Sequence, residues 1–329
     1  MTLTQNPPDA RSRLTERGGG ALGDRVFSWW TLGTALLVLA ILALILITTV
    51  RDALPAFEAM GVRFLTERVW DPNPAQGEPI FGALPFAFGT AVSSLIALVF
   101  AVPTSIGIAL FLTELAPRRL RSIGVTIIDL LAAVPSVVFG LWGILVVAPA
   151  LSPIYRSIHS AVDGVPVLQS IFGQDAGGRN FMTAGIILAI MVTPIITSIT
   201  REVFGTVPPA DKDAAVALGA TRWEMIRGAV FPHSFGGVVG AVMLGLGRAM
   251  GETIAVALII GGATNITANL FAPGNTMAAV IVQQFGESSG TFTAALIGLG
   301  VVLFAITVLI NFVAQVVVRR AELKMRGAA

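Results

Sequence analysis

Cysteine is absent from the 329 residues, and histidine occurs only twice, at His159 and His233. No disulfide, thiolate metal site or cysteine nucleophile is therefore possible, and two histidines leave little room for a metal centre. Only 12% of the residues are charged, and the net charge is +2. Dispersed basic residues with so small an excess do not suit a nucleic-acid partner. The pattern G-x-x-x-x-G-K-[S/T] is also missing, which excludes a P-loop ATP site in this chain.

Apolar residues make up 55% of the sequence, and the mean hydropathy is +0.83. An α-helix needs roughly 20 apolar residues to cross the hydrocarbon core of a membrane. Six segments meet this length and predict an all-α membrane protein with six transmembrane helices. The segments cover residues 27–50, 84–113, 123–150, 181–203, 234–262 and 291–318.

The composition divides the chain into four parts. Residues 1–26 combine arginines with proline, serine and a Gly18–Gly20 run, which predicts a flexible basic tail. Residues 27–83 hold the first span, which lacks a clear cleavage site, and a partly structured loop after it. Residues 84–318 form the main membrane domain, and residues 319–329 form a second tail.

Basic residues predict the orientation of the spans. The two tails and the connections on their side carry fifteen Lys and Arg residues, whereas the opposite loops carry five. Both termini are therefore predicted to be cytoplasmic. The basic set belongs to the tails and to residues 114–122 and 201–233, and the opposite set to residues 51–83, 151–180 and 263–290.

The connection 207–232 has the pattern of two short helices joined by a turn. Pro209 can open the first helix, and Gly219 can close it with a positive φ. Thr221 and Glu224 form a capping box that starts the second helix. Pro232 is expected to separate this helix from the fifth span.

Arg248 and Glu252 lie inside the fifth apolar segment. An arginine at the centre of a lone membrane helix costs about 2.5–3.5 kcal/mol on insertion scales, so it usually faces a partner or a polar cavity. At i and i+4 the two side chains are expected to share a helical face. They could form a structural ion pair, or the guanidinium could bind an oxyanion while the carboxylate accepts from a protonated oxygen. Small residues repeat on the same segment, at Gly236, Gly240, Gly247 and Gly251.

Three separated motifs carry a resemblance to a known family. They are LLAAVPSVVFGLWG at 130–143, DAAVALGATRWEMI from Asp213, and GLGRAMGET at 245–253. Together they resemble the phosphate-importer permeases of the PstC type, over roughly residues 60–318. The loop also resembles the coupling loop of ABC-importer permeases, although Asp213 replaces the usual Glu, and Ala229 and Phe231 replace Ile and Leu.

The resemblance implies a type I ABC-importer permease fold in a bacterial inner membrane. It also implies a heterodimer with a PstA-type permease, a PstB-type ATPase dimer and an extracytoplasmic PstS-type phosphate-binding protein. ATP and magnesium would then belong to the ATPase, and this chain would need no cofactor. Inorganic phosphate would pass near Arg248 and Glu252. The residues implied for coupling to the ATPase are Asp213, Ala214, Ala215, Gly219 and Pro232.

Other readings remain open. The chain could be the PstA-type permease of the same importer or a permease for another oxyanion, although IAVALIIGG after Thr253 favours the PstC type. A secondary transporter driven by an ion gradient should lack a coupling loop. A membrane-embedded enzyme would need a nucleophile or a metal cluster among its spans, and the sequence contains no such constellation.

Overall fold

A computed structural model describes residues 21–75, 77–174 and 177–327. The chain divides into two units, and the boundary between them in the sequence falls between Arg51 and Asp52. The first unit contributes most of helix α1 (Ala21–Met60), which begins inside the predicted tail and ends ten residues beyond the predicted span. Residues 1–20 of the tail lie outside the described part of the chain.

Six described helices are long and apolar enough to cross a membrane, which confirms the predicted number of spans. Three of them begin close to their predicted starts: α3 (Leu84–Leu110), α8 (Phe181–Gly205) and α14 (Thr291–Gly327). Pro103 and Pro194 lie within α3 and α8 without interrupting them. A π-helical turn (Phe111–Leu115) extends α3 at its end.

The third predicted span, 123–150, is wrong at both ends. Helix α4 (Arg118–Ala132) stops before Pro135, whose ring and missing N–H prevent its continuation. The helix that can span the membrane begins afresh at Ser136 and ends at Ala161. It consists of α5 (Ser136–Trp142), a π-helical turn (Gly143–Val147) and α6 (Ala148–Ala161), and a short α7 (Pro166–Ile171) follows.

The fifth predicted span, 234–262, is also wrong at both ends. After α9 (Pro209–Ala217), one helix runs without a break from Arg222 to Gly251. It comprises α10 (Arg222–Met225), a π-helical turn (Ile226–Val230) and α11 (Phe231–Gly251). Pro232 therefore does not separate two helices; it lies within the continuous helix, directly after the π-helical turn. The chain breaks instead at Glu252 and Thr253, before α12 (Ile254–Ile259).

The predicted loop 51–83 is largely structured. It contains the end of α1, helix α2 (Arg63–Thr66) and two antiparallel strands, β1 (Trp70–Asp71) and β2 (Ile80–Phe81). Trp70 packs edge-on against Phe81 and Phe86, and its Nε1 donates to Oε1 of Gln284 at 2.8 Å, at the end of α13 (Met277–Gln284). These contacts join the loop to the segment before the last span.

The main core lies where α3 and α8 pack side by side, with α11 and α12 against them. Small residues allow the close approach: a Cβ at Gly185 would lie 2.4 Å from Ile96, and one at Gly245 would lie 2.6 Å from Ile196. A separate cluster lies at the end of the spans that carries α9, and it includes Ala109, Phe204, Val207, Met225, Ile226, Val230 and Val238.

Candidate functional site: a membrane pathway and a coupling segment

The predicted helix start at Pro209, the turn at Gly219 and the capping box of Thr221 and Glu224 are confirmed. Pro209 is the first residue of α9, and Gly219 lies in the turn after that helix with φ +87°. The Thr221 hydroxyl accepts from the amide of Glu224 at 3.3 Å, and the Glu224 carboxylate accepts from the amide of Thr221 at 2.8 Å. We call residues 209–225 the coupling segment, after the role that the sequence predicts for them.

Three large apolar side chains of the coupling segment are exposed. Val216 is 53% exposed, Leu218 90% and Trp223 61%. Asp213 and Ala214 are also exposed. Exposed apolar side chains of this size, close together in the sequence, are typical of a segment that binds another protein. We call Val216, Leu218 and Trp223 the apolar patch.

Two other residues of the coupling segment hold it to the membrane helices. Ala215 packs against the cluster that contains Met225 and Ile226. Nζ of Lys212 lies 2.6 Å from Oε1 of Glu114, in the π-helical turn at the end of α3. Only 22% of the lysine side chain and 10% of the glutamate side chain are exposed. Sequence reasoning missed this pair because its members are 98 residues apart.

Arg248 and Glu252 are placed differently from each other. Arg248 is exposed in the last turn of α11, whereas Glu252 is 8% exposed and follows the end of that helix with ψ 128°. The helix ends one residue too early for the two side chains to share a face. Among the described residues no ion pair joins them, which corrects the expected contact. Oε1 of Glu252 instead accepts a long hydrogen bond, 3.5 Å, from the amide of Ala255 in α12.

Arg248 lies in an exposed row on α11 that also contains Gly240, Leu244 and Gly251. A Cβ at Gly240, Gly247 or Gly251 would meet no atom within 4 Å. These glycines therefore serve no packing inside the described chain, unlike Gly245 on another face of the helix. The row leaves room for a further helix or a solute beside Arg248.

A cavity of about 670 Å³ lies beside this row, between α8, α11 and α14. Three polar side chains of α14 line it at a spacing of four residues, namely Asn311, Gln315 and Arg319. Sequence reasoning missed them, although two amides in an apolar helix were a readable signal. Among the described residues no group of three or more His, Asp or Glu side chains could hold a metal ion.

The chain belongs to the family of binding-protein-dependent transport system inner membrane components, which it matches over residues 101–327. It is therefore a multi-pass inner-membrane transport component. Two similar proteins are permeases of phosphate transport systems. One is the phosphate transport system permease protein PstC of Mesorhizobium japonicum, 43% identical over 92% of each chain. The other is PstC 2 of Mycobacterium tuberculosis, 43% identical over 96% of this chain and 94% of that protein.

A solved structure confirms the fold. A chain of a bacterial ABC transporter involved in the import of the polysaccharide alginate aligns with a TM-score of 0.61. The alignment covers 91% of this chain and 98% of that one, at 18% identity. The predicted type I ABC-importer permease fold is thereby confirmed, and at this identity the likeness extends to the fold alone.

Proposed function

We propose that this chain is the PstC-type permease subunit of an ATP-driven phosphate importer and forms half of its translocation pathway. The observation that carries the proposal is the 43% identity, over nine tenths of both chains, to the phosphate transport permease of Mesorhizobium japonicum. The PstA type and permeases for other oxyanions lack this support. The permease itself hydrolyses nothing.

Membership of the family supports the proposal that the chain works with further subunits. A second permease of the PstA type completes the pathway, an ATPase dimer of the PstB type binds ATP and magnesium, and a PstS-type protein delivers phosphate from outside. The coupling segment faces the cytoplasm together with both termini, as the basic residues predict. The apolar patch of Val216, Leu218 and Trp223 provides the surface on which the ATPase docks.

Arg248 and Glu252 serve the pathway from two positions. Arg248 presents a planar guanidinium on the open face of α11, where it can bind a phosphate oxyanion through two N–H groups. Glu252 lies at the helix break, where its carboxylate can accept from a protonated phosphate oxygen and hold the anion weakly enough for release. ATP binding closes the ATPase dimer, the coupling segment transmits the motion, and the spans change the side to which this site opens.

The test is uptake of labelled phosphate by cells that carry Arg248→Gln, with the amount of assembled protein in the membrane measured in parallel. We expect uptake to fall by about tenfold or more, because one charge-assisted anion contact contributes roughly 1.5–3 kcal/mol. Arg156→Gln, an exposed arginine on α6, is the matched control and should leave uptake unchanged. Unchanged uptake with Arg248→Gln would remove Arg248 from the pathway. If the unmodified importer takes up labelled sulfate in place of phosphate, the assignment of phosphate as its substrate is refuted.

A further inference from the structure

The pair Lys212–Glu114 is unusual among the ion pairs of the described residues. The other two pairs, Arg63–Glu67 and Arg201–Glu202, join neighbours in sequence and each keep one largely exposed side chain, 77% or 72% exposed. Lys212–Glu114 joins two separate helices at 2.6 Å, and both side chains are mostly buried. A short, shielded pair fixes the geometry of its partners more firmly than an exposed one does, because solvent and salt screen it less.

The two residues occupy mechanically distinct elements. Lys212 belongs to α9, which also carries Val216 of the apolar patch. Glu114 belongs to the π-helical turn that ends the second span. The Arg121 guanidinium bonds to the carbonyl of Thr113 in the same turn, so the turn is also tied to α4.

The coupling segment is held to the spans by different means. Ala215 packs against the apolar cluster that contains Ile226, at the base of the fifth span, and Ala109 of the second span. Lys212–Glu114 adds a polar bridge from α9 to the turn that ends the second span. π-helical turns are local irregularities that often lie at functional positions in helices.

We infer that Lys212 and Glu114 are positioning residues that make the coupling segment and the second span move together. The inference rests on the proposed function and adds to it a route by which motion reaches the second span. A pull on the apolar patch is transferred to α3 at Glu114. Because α3 packs along α8 in the main core, the displacement reaches the centre of the subunit.

The first test uses charge reversal in the complete importer, reconstituted in proteoliposomes with its ATPase, second permease and binding protein. Phosphate transported and ATP hydrolysed are measured together. Glu114→Lys and Lys212→Glu should each lower the phosphate moved per ATP by about fivefold or more while hydrolysis continues. The double variant Glu114→Lys with Lys212→Glu restores opposite charges and should recover most of the ratio. Glu202→Lys breaks an exposed pair on α8 and should leave the ratio unchanged.

A purely structural role would lower the amount of assembled complex and leave the ratio intact in what remains. If the single variants keep the wild-type ratio, or if the double variant does not recover it, the inference is overturned.

A second test does not depend on tolerance of the charge changes. The chain has no cysteine, so Glu114→Cys with Lys212→Cys introduces its only two thiols. A reducible bis-thiol reagent of matching length replaces the ion pair with a covalent bridge, and the same reagent on the unaltered chain is the control. Transport should persist when the bridge is closed, since the two elements are expected to move as one. Inhibition that reductant reverses would show that they must separate, and would overturn the inference.

The same experiments separate the proposed function from the role of Lys212 and Glu114. If the unaltered importer moves no phosphate, the proposed function fails. If it moves phosphate but the reversal or the bridge gives the contrary result, only the role of Lys212 and Glu114 fails.

Discussion

The turn between α9 and α10 is held by single residues that act on their immediate neighbours in the chain. The Thr221–Glu224 capping box and the positive φ of Gly219 depend on backbone geometry within a few residues. Lys212–Glu114 depends on the packing of distant elements, and no local pattern marks it. Glu252 follows the end of α11 at Gly251, although its spacing from Arg248 predicts a shared helical face.

Gly219 gives a prediction at this scale. Gly219→Ala should destabilise the turn between α9 and α10 by about 1–2 kcal/mol, because φ +87° is unfavourable for a residue with a Cβ. There is open space around the position, so the effect is one of backbone strain and not of a clash. Gly205→Ala is the matched control: it also has open space but no positive φ, and it should not destabilise the helix.

The measurement is limited proteolysis of the membrane-embedded importer, with cleavage near residue 219 followed over time. Faster cleavage is expected only in Gly219→Ala, together with a lower transport-to-hydrolysis ratio. Equal cleavage of both variants would contradict the strain argument.

At the scale of elements, hydropathy predicted the number of spans and missed their interruptions. A sliding average of apolar character treats 123–150 as one run, although Pro135 stops α4 and begins a new helix. It also starts the fifth span too late, because Arg222, Glu224 and Arg227 lower the average hydropathy of a helix that begins at Arg222 and continues through a π-helical turn. Gln283 of α13 donates to the carbonyl of Ala257 in α12 at 3.0 Å, a contact between elements that no hydropathy pattern marks.

The two kinds of glycine on α11 give a prediction about assembly. Gly247→Leu should leave the fold of the subunit intact, because a Cβ there meets no atom within 4 Å, but should weaken binding of the second permease. Gly245→Leu should destabilise the subunit itself by about 1–3 kcal/mol, because its side chain would collide with Ile196.

Thermal unfolding of the purified subunit in detergent and co-purification of the second permease separate the two effects. Loss of stability without loss of co-purification in Gly247→Leu would place this glycine in a packed interior.

At the scale of the whole molecule, the distribution of basic residues predicts that α9 and both termini share the cytoplasmic side. The helices support the prediction only in that six spans return the chain to its starting side. The family then connects the fold with its partners, which no residue pattern within this chain could specify. The connections on the two sides of the spans are built differently. Aromatic packing around Trp70 orders one of them, and the coupling segment belongs to the other.

The break at Glu252 and Thr253 has a consequence for the life of the protein before it joins a complex. In the hydrocarbon region a peptide group without a hydrogen-bond partner costs several kcal/mol, so irregular backbone persists only where protein or water covers it. The face of α11 beside the break is uncovered in the single subunit. A newly made copy without its partner permease therefore resembles a damaged membrane protein, and membrane proteases are expected to remove it. Pulse-chase labelling should show a shorter half-life when the second permease is deleted and recovery when it is supplied, so that the interruption also sets the ratio in which the two permeases accumulate.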